Sequence, residues 1–352
     1  MGLLDMLKPE RPVMKVCMMG PKAVGKTTIL TAVFNETQQS IAETKLNLLA
    51  LGDTNSNLLD RQRMLKAMFR TKSDVVDCAQ NRTVKNDRPS GGIEASSYET
   101  RFDFSFGFLG KDPILDLMIK DFPGEMVVNK SDDVISFIKD SQAIFVAIDT
   151  PHLMENNGEF NDVKNKPKVI TRLFAEALKE HEDEKLIVLI PLKCEKYFHQ
   201  KCMNEIVAKI EEKYSSLISF FRCDNKICCT IAPILTLGDV EFDDFSYDSG
   251  NVRLAPDMCP ENVMYKYVGE CKYSPLFCSQ PLYALLSFVA AQYQRNKDNG
   301  FLNRLKKWIW SIFKNNEELY DEVIKMEKIR ISYNEQFGYK MLCGENLFHY
   351  NH

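Results

Sequence analysis

The chain lacks long hydrophobic runs, an excess of basic charge and any regular spacing of cysteine. No run of about 18 apolar residues occurs, so the sequence predicts no transmembrane helix. The 352 residues carry a formal net charge of −4. This balance argues against the broad basic surface that binds nucleic acid, and we expect no nucleic-acid partner.

The 11 cysteines are odd in number and show no repeated short spacing, which argues against a disulfide framework. Cys17, Cys228 and Cys229 lie in apolar runs, where buried free thiols are common. The segment "HQKC", residues 199–202, has the spacing of half a zinc site, but no second pair follows nearby. The start of the chain, "MGLLDMLKPERP", is too short and too charged for a secretory signal. Together these features predict a cytoplasmic protein with no metal at its cysteines.

The most specific feature that is present is the segment "GPKAVGKTT", residues 20–28. An apolar run of strand type, residues 13–19, precedes it, and apolar residues at helical spacing follow it. The order of strand, loop and helix is the setting in which the pattern G-x-x-x-x-G-K-T binds phosphate. The alternative is a glycine-containing turn that carries a lysine by chance. The pattern itself consists of Gly20, Gly25, Lys26 and Thr27.

Each part of the pattern has a physical role in holding a polyphosphate. Gly20 and Gly25 let the backbone come close to the ligand, so that loop N–H groups can surround the β-phosphate. The helix N-terminus adds partial positive charge. Lys26 can reach the β- and γ-phosphates, and Thr27 can offer its hydroxyl to Mg²⁺. The predicted nucleotide-binding residues of this loop are Gly20, Ala23, Val24, Gly25, Lys26, Thr27 and Thr28.

A second motif, "PILDLMIKDFPGE", residues 113–125, is predicted to complete the site. A mostly apolar strand ends at Asp121, which is placed to hold Mg²⁺. The amide of Gly124 would sense the γ-phosphate and move when that phosphate leaves. Glu125 stands where related enzymes position water, so Lys26 and Glu125 are the predicted catalytic residues. The alternative for Glu125 is a surface side chain with no part in the chemistry.

The two motifs together resemble the translation-factor-related (TRAFAC) class of P-loop GTPases, and within it the bacterial double-GTPase group. The resemblance covers roughly residues 13–295. It implies a three-layer α/β/α fold with a mostly parallel sheet, GTP or GDP bound with Mg²⁺, and slow hydrolysis. It further implies a nucleotide-controlled switch in a bacterial signalling or defence system. The expected partner is a protein, such as a second GTPase or an effector.

GTPases of this class read guanine with an N/T-K-x-D motif after a buried strand. Here "LKCE", residues 192–195, follows such a strand, with Lys193 in the lysine position and Glu195 in place of aspartate. A last base-contacting loop would lie at residues 231–233 or 236–238. Two alternatives stay open: a P-loop ATPase, favoured by the altered motif, and a non-hydrolysing nucleotide-binding scaffold, favoured by Glu125 in place of glutamine or histidine.

Several further residues are candidates for the site. The class completes its magnesium shell with a threonine before the strand predicted over residues 98–108, and Thr83, Ser96 and Ser97 all qualify. Arg82, Arg88 and Arg101 lie near this region, but nothing in the sequence selects an arginine finger among them. Asp149, at the end of another apolar strand, either lies beside the site or caps the following loop.

The domain boundaries follow from these patterns. We predict an N-terminal arm over residues 1–12 and a GTPase domain over residues 13–296. The domain contains a helical insertion at about 36–82 and an irregular insertion at about 239–280. A C-terminal helical extension covers residues 297–352. Within it, residues 301–314 combine apolar, basic and tryptophan side chains, which suit folding back on the domain, docking a partner or, least favoured, contact with a membrane.

Overall fold

The structure is a computed structural model. It describes residues 11–70, 98–129, 131–246, 258–260, 262–299 and 337–348, with short pieces at 75–77, 82–84, 248–249, 252–253, 312, 318–323 and 325. Residues 1–10 of the predicted arm and most of the predicted 301–314 segment lie outside this set. Ser96, Ser97 and Arg88 lie outside it as well.

A large mixed sheet forms the centre of the described fold. Its order is β14-β9-β8-β7-β1-β6-β5-β2. The five strands from β9 to β6 run parallel, while β14, β5 and β2 pair antiparallel to their neighbours. The prediction of an α/β fold with a mostly parallel sheet is confirmed. The strands are β1 (Val13–Met19), β2 (Leu46–Ala50), β3 (Val75–Asp77), β4 (Arg82–Val84), β5 (Thr100–Phe108), β6 (Leu115–Asp121), β7 (Ala143–Asp149), β8 (Lys185–Leu192), β9 (Ile227–Ile231), β10 (Val240–Ser246), β11 (Asp248–Ser249), β12 (Val252–Arg253), β13 (Asn262–Tyr267) and β14 (Lys340–Cys343).

Helices cover both faces of the sheet and bury two separate apolar clusters. Side chains of α1, α2, α11 and α12 pack on one face, and those of α4, α7, α9 and α10 pack on the other. The helices are α1 (Lys26–Thr44), α2 (Asp53–Arg70), α3 (Gly124–Asn129), α4 (Ser131–Asp140), α5 (Thr150–Met154), α6 (Asn161–Lys164), α7 (Pro167–Ala177), α8 (Glu195–His199), α9 (Met203–Lys213), α10 (Ser215–Arg222), α11 (Gln280–Asn299) and α12 (Glu345–Phe348).

The central strands form where the sequence is continuously apolar. Every residue of β7 and of β8 is buried, as expected for parallel strands with helices on both faces. In β6 buried and half-buried residues alternate, so its two faces meet different surroundings. Helix α11 begins at Gln280 with Pro281 in its first turn, where a missing N–H costs nothing.

Three segments differ from the sequence predictions. The predicted helical insertion contains the strand β2 between α1 and α2, because its apolar residues pair with the edge of β5. The predicted irregular insertion contains the antiparallel pair of β10 and β13. The C-terminal extension was predicted to be helical, but its strand β14 joins the sheet beside β9 and covers an edge that would otherwise be unpaired.

Candidate functional site

The loop after β1 lies at the carboxyl ends of the parallel strands. We call residues 20–25 the glycine loop. Gly20 has a φ of +152°, and a Cβ placed on it would lie 2.7 Å from the carbonyl oxygen of Ala147 in β7, so a larger residue does not fit. Ala23 has a left-handed backbone with φ of 58°, and the Val24 side chain is buried under the loop. Thr28 lies in the first turn of α1, directly after the loop.

Lys26 and Asp121 meet although they lie far apart in the sequence. Lys26 Nζ is 3.7 Å from Asp121 Oδ1, and both side chains are buried. Lys26 Nζ also donates to the carbonyl oxygens of Gly20 and Pro21, at 3.2 and 3.3 Å. Burial lowers the pKa of Lys26, although the Asp121 carboxylate opposes this shift. The ammonium is therefore held inside the curve of the glycine loop, beside a carboxylate.

The residues predicted to hold Mg²⁺ suit a hydrated divalent cation. Asp121 Oδ1 is buried and has no hydrogen-bond partner among the described residues, which is unusual for a carboxylate oxygen. Burial raises the pKa of Asp121, although the charges of Lys26 and Arg61 oppose this shift. The Thr27 side chain is buried next to them at the start of α1. A cation here would meet hard oxygen donors, which is the ligand type that Mg²⁺ prefers.

Gly124 and Glu125 lie against the glycine loop from the other side. A Cβ placed on Gly124 would lie 2.7 Å from the backbone nitrogen of Lys22, so the two backbones are in close contact. Glu125 is exposed and its Oε1 accepts a hydrogen bond from Lys22 Nζ at 2.9 Å. This hydrogen bond lowers the pKa of Glu125. The Glu125 carboxylate is therefore paired with a lysine of the glycine loop, next to which the phosphate is predicted to bind.

A cleft of about 560 Å³ opens between these elements. Its volume is within the range of small-molecule sites. Three lysines, Lys22, Lys164 and Lys166, line it together with Asn165 and Cys259. The glycine loop and the first turn of α3 form the opposite wall. The combination of backbone N–H groups and lysines favours an anionic ligand.

The "LKCE" segment lies beside the glycine loop. A Cβ placed on Gly25 would contact Leu192 Cδ1 at 4.0 Å. Glu195 is buried, and its Oε1 accepts hydrogen bonds from the backbone N–H groups of Thr236 and Leu237, both at 2.9 Å. Burial raises the pKa of Glu195, although these N–H groups oppose this shift. Of the two predicted base-contacting loops, residues 236–238 are therefore the ones held by Glu195.

Lys193 takes part in a buried cluster at the ends of β7 and β8. Its Nζ donates to Asp149 Oδ2 at 2.7 Å, and it also makes a hydrogen bond with Tyr265. Burial would raise the pKa of Asp149, but Lys193 and a hydrogen bond from His152 outweigh burial and hold this pKa below its ordinary value. The resemblance places the aliphatic stem of Lys193 along the nucleotide base. In the structure, the ammonium group of Lys193 is bound to Asp149 and Tyr265.

His152 connects this cluster to the segment 258–260. Its Nδ1 is 2.6 Å from Asp149 Oδ1, and its Nε2 is 2.7 Å from the carbonyl oxygen of Pro260. Asp149 Oδ1 also accepts from the backbone N–H of His152, which caps α5. Asp149 therefore caps the helix that follows β7, which is one of the two sequence expectations. It also binds Lys193, a predicted nucleotide-binding residue, so it lies beside the candidate site as well. His152 was missed in the sequence because a lone histidine after a strand carries no pattern.

The candidates for the switch threonine and for a catalytic arginine lie in different parts of the described fold. Thr83 lies in the short strand β4, which pairs with β3 and not with a strand of the main sheet. Thr100, which the sequence analysis did not name, stands directly across from Asp121 in the register of β5 and β6. Arg101 is exposed and bound to Asp103 at 2.8 Å. The arginine whose charge acts on Asp121 is instead Arg61 of α2.

Among the described residues, no cluster of three or more histidine, cysteine, aspartate and glutamate side chains has the arrangement of a metal site. Cys17, Cys228 and Cys229 are buried free thiols, as predicted. The described helices include none with the length and hydropathy needed to cross a membrane.

Comparison with solved structures finds the GTPase-like domain of S. cerevisiae Ski7 in two states. The structure bound to GDP and inorganic phosphate is 13% identical, with a TM-score of 0.35 over 67% of this chain and 46% of that chain. The structure bound to GTP is 13% identical, with a TM-score of 0.33 over 73% of this chain and 48% of that chain. This chain thus spans less than half of either. No family model and no curated protein matches.

Proposed function

We propose that this protein is a Mg²⁺-dependent P-loop GTPase of the TRAFAC class that binds GTP and hydrolyses it slowly. The observation that carries the proposal is the convergence of Lys26 and Asp121 beside the glycine loop. A buried ammonium, a buried carboxylate oxygen with no hydrogen-bond partner among the described residues, and a glycine-containing loop at a helix N-terminus together suit a nucleoside triphosphate and its cation. Thr27 and Asp121 would hold the Mg²⁺, which neutralises phosphate charge when bound.

The remaining chemistry belongs to this chain's own side chains. Lys26, already placed at the loop, stabilises the negative charge that develops on the transferred phosphoryl group. The Gly124 N–H would report the presence of the γ-phosphate to α3, and the close packing of Gly124 against the backbone of Lys22 supports this role. Glu125 orients the attacking water, which requires it to leave Lys22.

The biological setting that we propose follows the resemblance of the two motifs. The protein would act as a cytoplasmic switch in a bacterial signalling or defence system, close to the double-GTPase group. Its partner would be a protein, either a second GTPase or an effector.

Competition between nucleotides tests the guanine assignment against the ATPase alternative. Labelled GTP is bound to the purified chain and displaced by unlabelled GTP or ATP in separate titrations. The proposal gives Lys193, Glu195 and the loop 236–238 that Glu195 holds the role of reading guanine, so we expect GTP to displace at least about 10-fold better than ATP. Equal displacement would remove the guanine assignment. Mass spectrometry of any nucleotide that copurifies gives an independent answer.

The Glu125→Ala variant should bind GTP with unchanged affinity but hydrolyse it about 100-fold more slowly in a single turnover, because the water loses its orienting group. The Glu212→Ala variant is the matched control, since Glu212 is also exposed and paired with a lysine, Lys209, but lies on α9. A rate for Glu125→Ala equal to that of the control would make Glu125 a surface residue. No phosphate release by the wild type or either variant would favour the non-hydrolysing scaffold.

A further inference from the structure

Arg61 on α2 is a partly buried cation with an unused hydrogen-bond donor. Its Nη1 is buried and has no hydrogen-bond partner among the described residues. Its Cζ lies 5.8 Å from the centroid of the Phe102 ring, within the range of a cation–π contact. The nearby Arg63 differs, because it is exposed and bound to Asp60 at 2.9 Å.

The register of β5 and β6 places Arg61 on the same side of the sheet as the candidate metal ligand. Phe102 pairs with Ile119, and Asp121 follows two residues later on the same strand. Since side chains alternate along a strand, Ile119 and Asp121 share one face, and Phe102 shares it with them. Helix α2 packs on this face, as do the residues of α1 that follow Lys26.

Positive charge exceeds negative charge among the described groups around Asp121, and this excess favours the binding of an anion. Burial lowers the pKa of Arg61, although the Asp121 carboxylate opposes this shift. Lys26 is directed at the same carboxylate. Among the described residues, two cations thus act on one anion, and one buried guanidinium nitrogen has no acceptor. A buried donor left unpaired is costly, so a further acceptor at this position would be strongly favoured.

We propose that Arg61 is a catalytic arginine that this chain supplies from its own helix α2 to the γ-phosphate of the bound triphosphate. This inference rests on the proposed GTPase function. In the reaction the oxygen of water bonds to the γ-phosphorus, the bond from that phosphorus to the β–γ bridging oxygen breaks, and a water proton is released as GDP and inorganic phosphate form. Arg61 donates N–H groups to the γ-phosphate oxygens, over which the charge of the transferred group is spread in the transition state.

Three variants test the role: Arg61→Ala, Arg61→Lys and the control Arg63→Ala. Single-turnover hydrolysis is measured together with the affinities for GDP and for GTPγS by calorimetry, and with urea unfolding. For Arg61→Ala we expect a rate lower by about 10²- to 10³-fold. We expect GTPγS affinity to fall about 10-fold with GDP affinity nearly unchanged, because GDP lacks the group that Arg61 contacts. Arg61→Lys should stay impaired, since lysine lacks the planar fork.

Two results would overturn the proposal. The first is an Arg61→Ala variant whose rate and GTPγS affinity match those of Arg63→Ala. The second is an equal loss of GDP and GTPγS affinity accompanied by a lower free energy of unfolding, which would make Arg61 a structural residue. A wild-type chain that binds no nucleotide would overturn the GTPase function as well. If the wild type binds both nucleotides and Arg61→Ala changes the two affinities by the same factor, the GTPase function stands and only the role of Arg61 is removed.

Discussion

Replacing Lys26 with alanine should weaken nucleotide binding by about 1.5–3 kcal/mol, which corresponds to a rise in Kd of about 10- to 150-fold. The physical reason is the loss of charge-assisted contacts from an ammonium that the fold already holds in the curve of the glycine loop. Isothermal calorimetry with GDP and GTPγS measures the change directly. Lys26→Met serves as a second variant, because it keeps the apolar stem in the buried position.

The control for this prediction is Lys15→Ala. Lys15 lies near the start of β1 and pairs with the exposed Asp140 at 3.2 Å, so it shares the strand but not the loop. Its removal should leave Kd unchanged and alter unfolding by less than about 1 kcal/mol. Tight binding retained by both Lys26 variants would show that the loop does not hold phosphate as proposed.

The Asp149→Ala variant should lower the free energy of unfolding by about 3–5 kcal/mol. Asp149 is fully buried and contacts Lys193, His152 and the first turn of α5. Its removal leaves the buried Lys193 ammonium without its carboxylate partner, which costs far more than the loss of one surface pair. Urea denaturation followed by circular dichroism gives the difference. The Asp149→Asn variant keeps a side-chain oxygen that can cap α5, so its free energy of unfolding should fall less than that of Asp149→Ala.

Asp162→Ala is the matched control for Asp149. Asp162 is exposed and lies 3.9 Å from Lys168, so its pair is solvated. Its replacement should change the free energy of unfolding by less than about 0.5 kcal/mol. Equal stability of the Asp149 and Asp162 variants would contradict the structural importance of the buried cluster.

The lowered pKa of Asp149 predicts that the free energy of unfolding falls as the pH is lowered. The pKa of Asp149 is held below its ordinary value, so the unfolded chain binds this proton first as pH falls. Its contribution to stability is therefore complete above about pH 4, the ordinary range of an aspartate, and is lost at lower pH. The difference in unfolding free energy between wild type and Asp149→Asn should shrink below about pH 4.

The parts of the fold that sequence patterns predicted are those with strong local signals. The apolar runs of β7 and β8 and the strand–loop–helix order around Lys26 appear where expected. The strands β2 and β14 were missed because their short apolar runs become strands only by pairing with β5 and β9. A strand at the edge of a sheet depends on its neighbour, and that neighbour is distant in the sequence.

The candidate site shows the same division. Residue types and their local spacing were enough to name the chemical groups of the site: a glycine loop, a lysine, a threonine and an aspartate at a strand end. Folding in three dimensions was needed to bring Lys26 to 3.7 Å from Asp121, to place the loop 236–238 on Glu195, and to bring the charge of Arg61 near the same carboxylate. Such distances depend on strand order and on helix packing across the sheet, and residue spacing along one chain does not encode them locally.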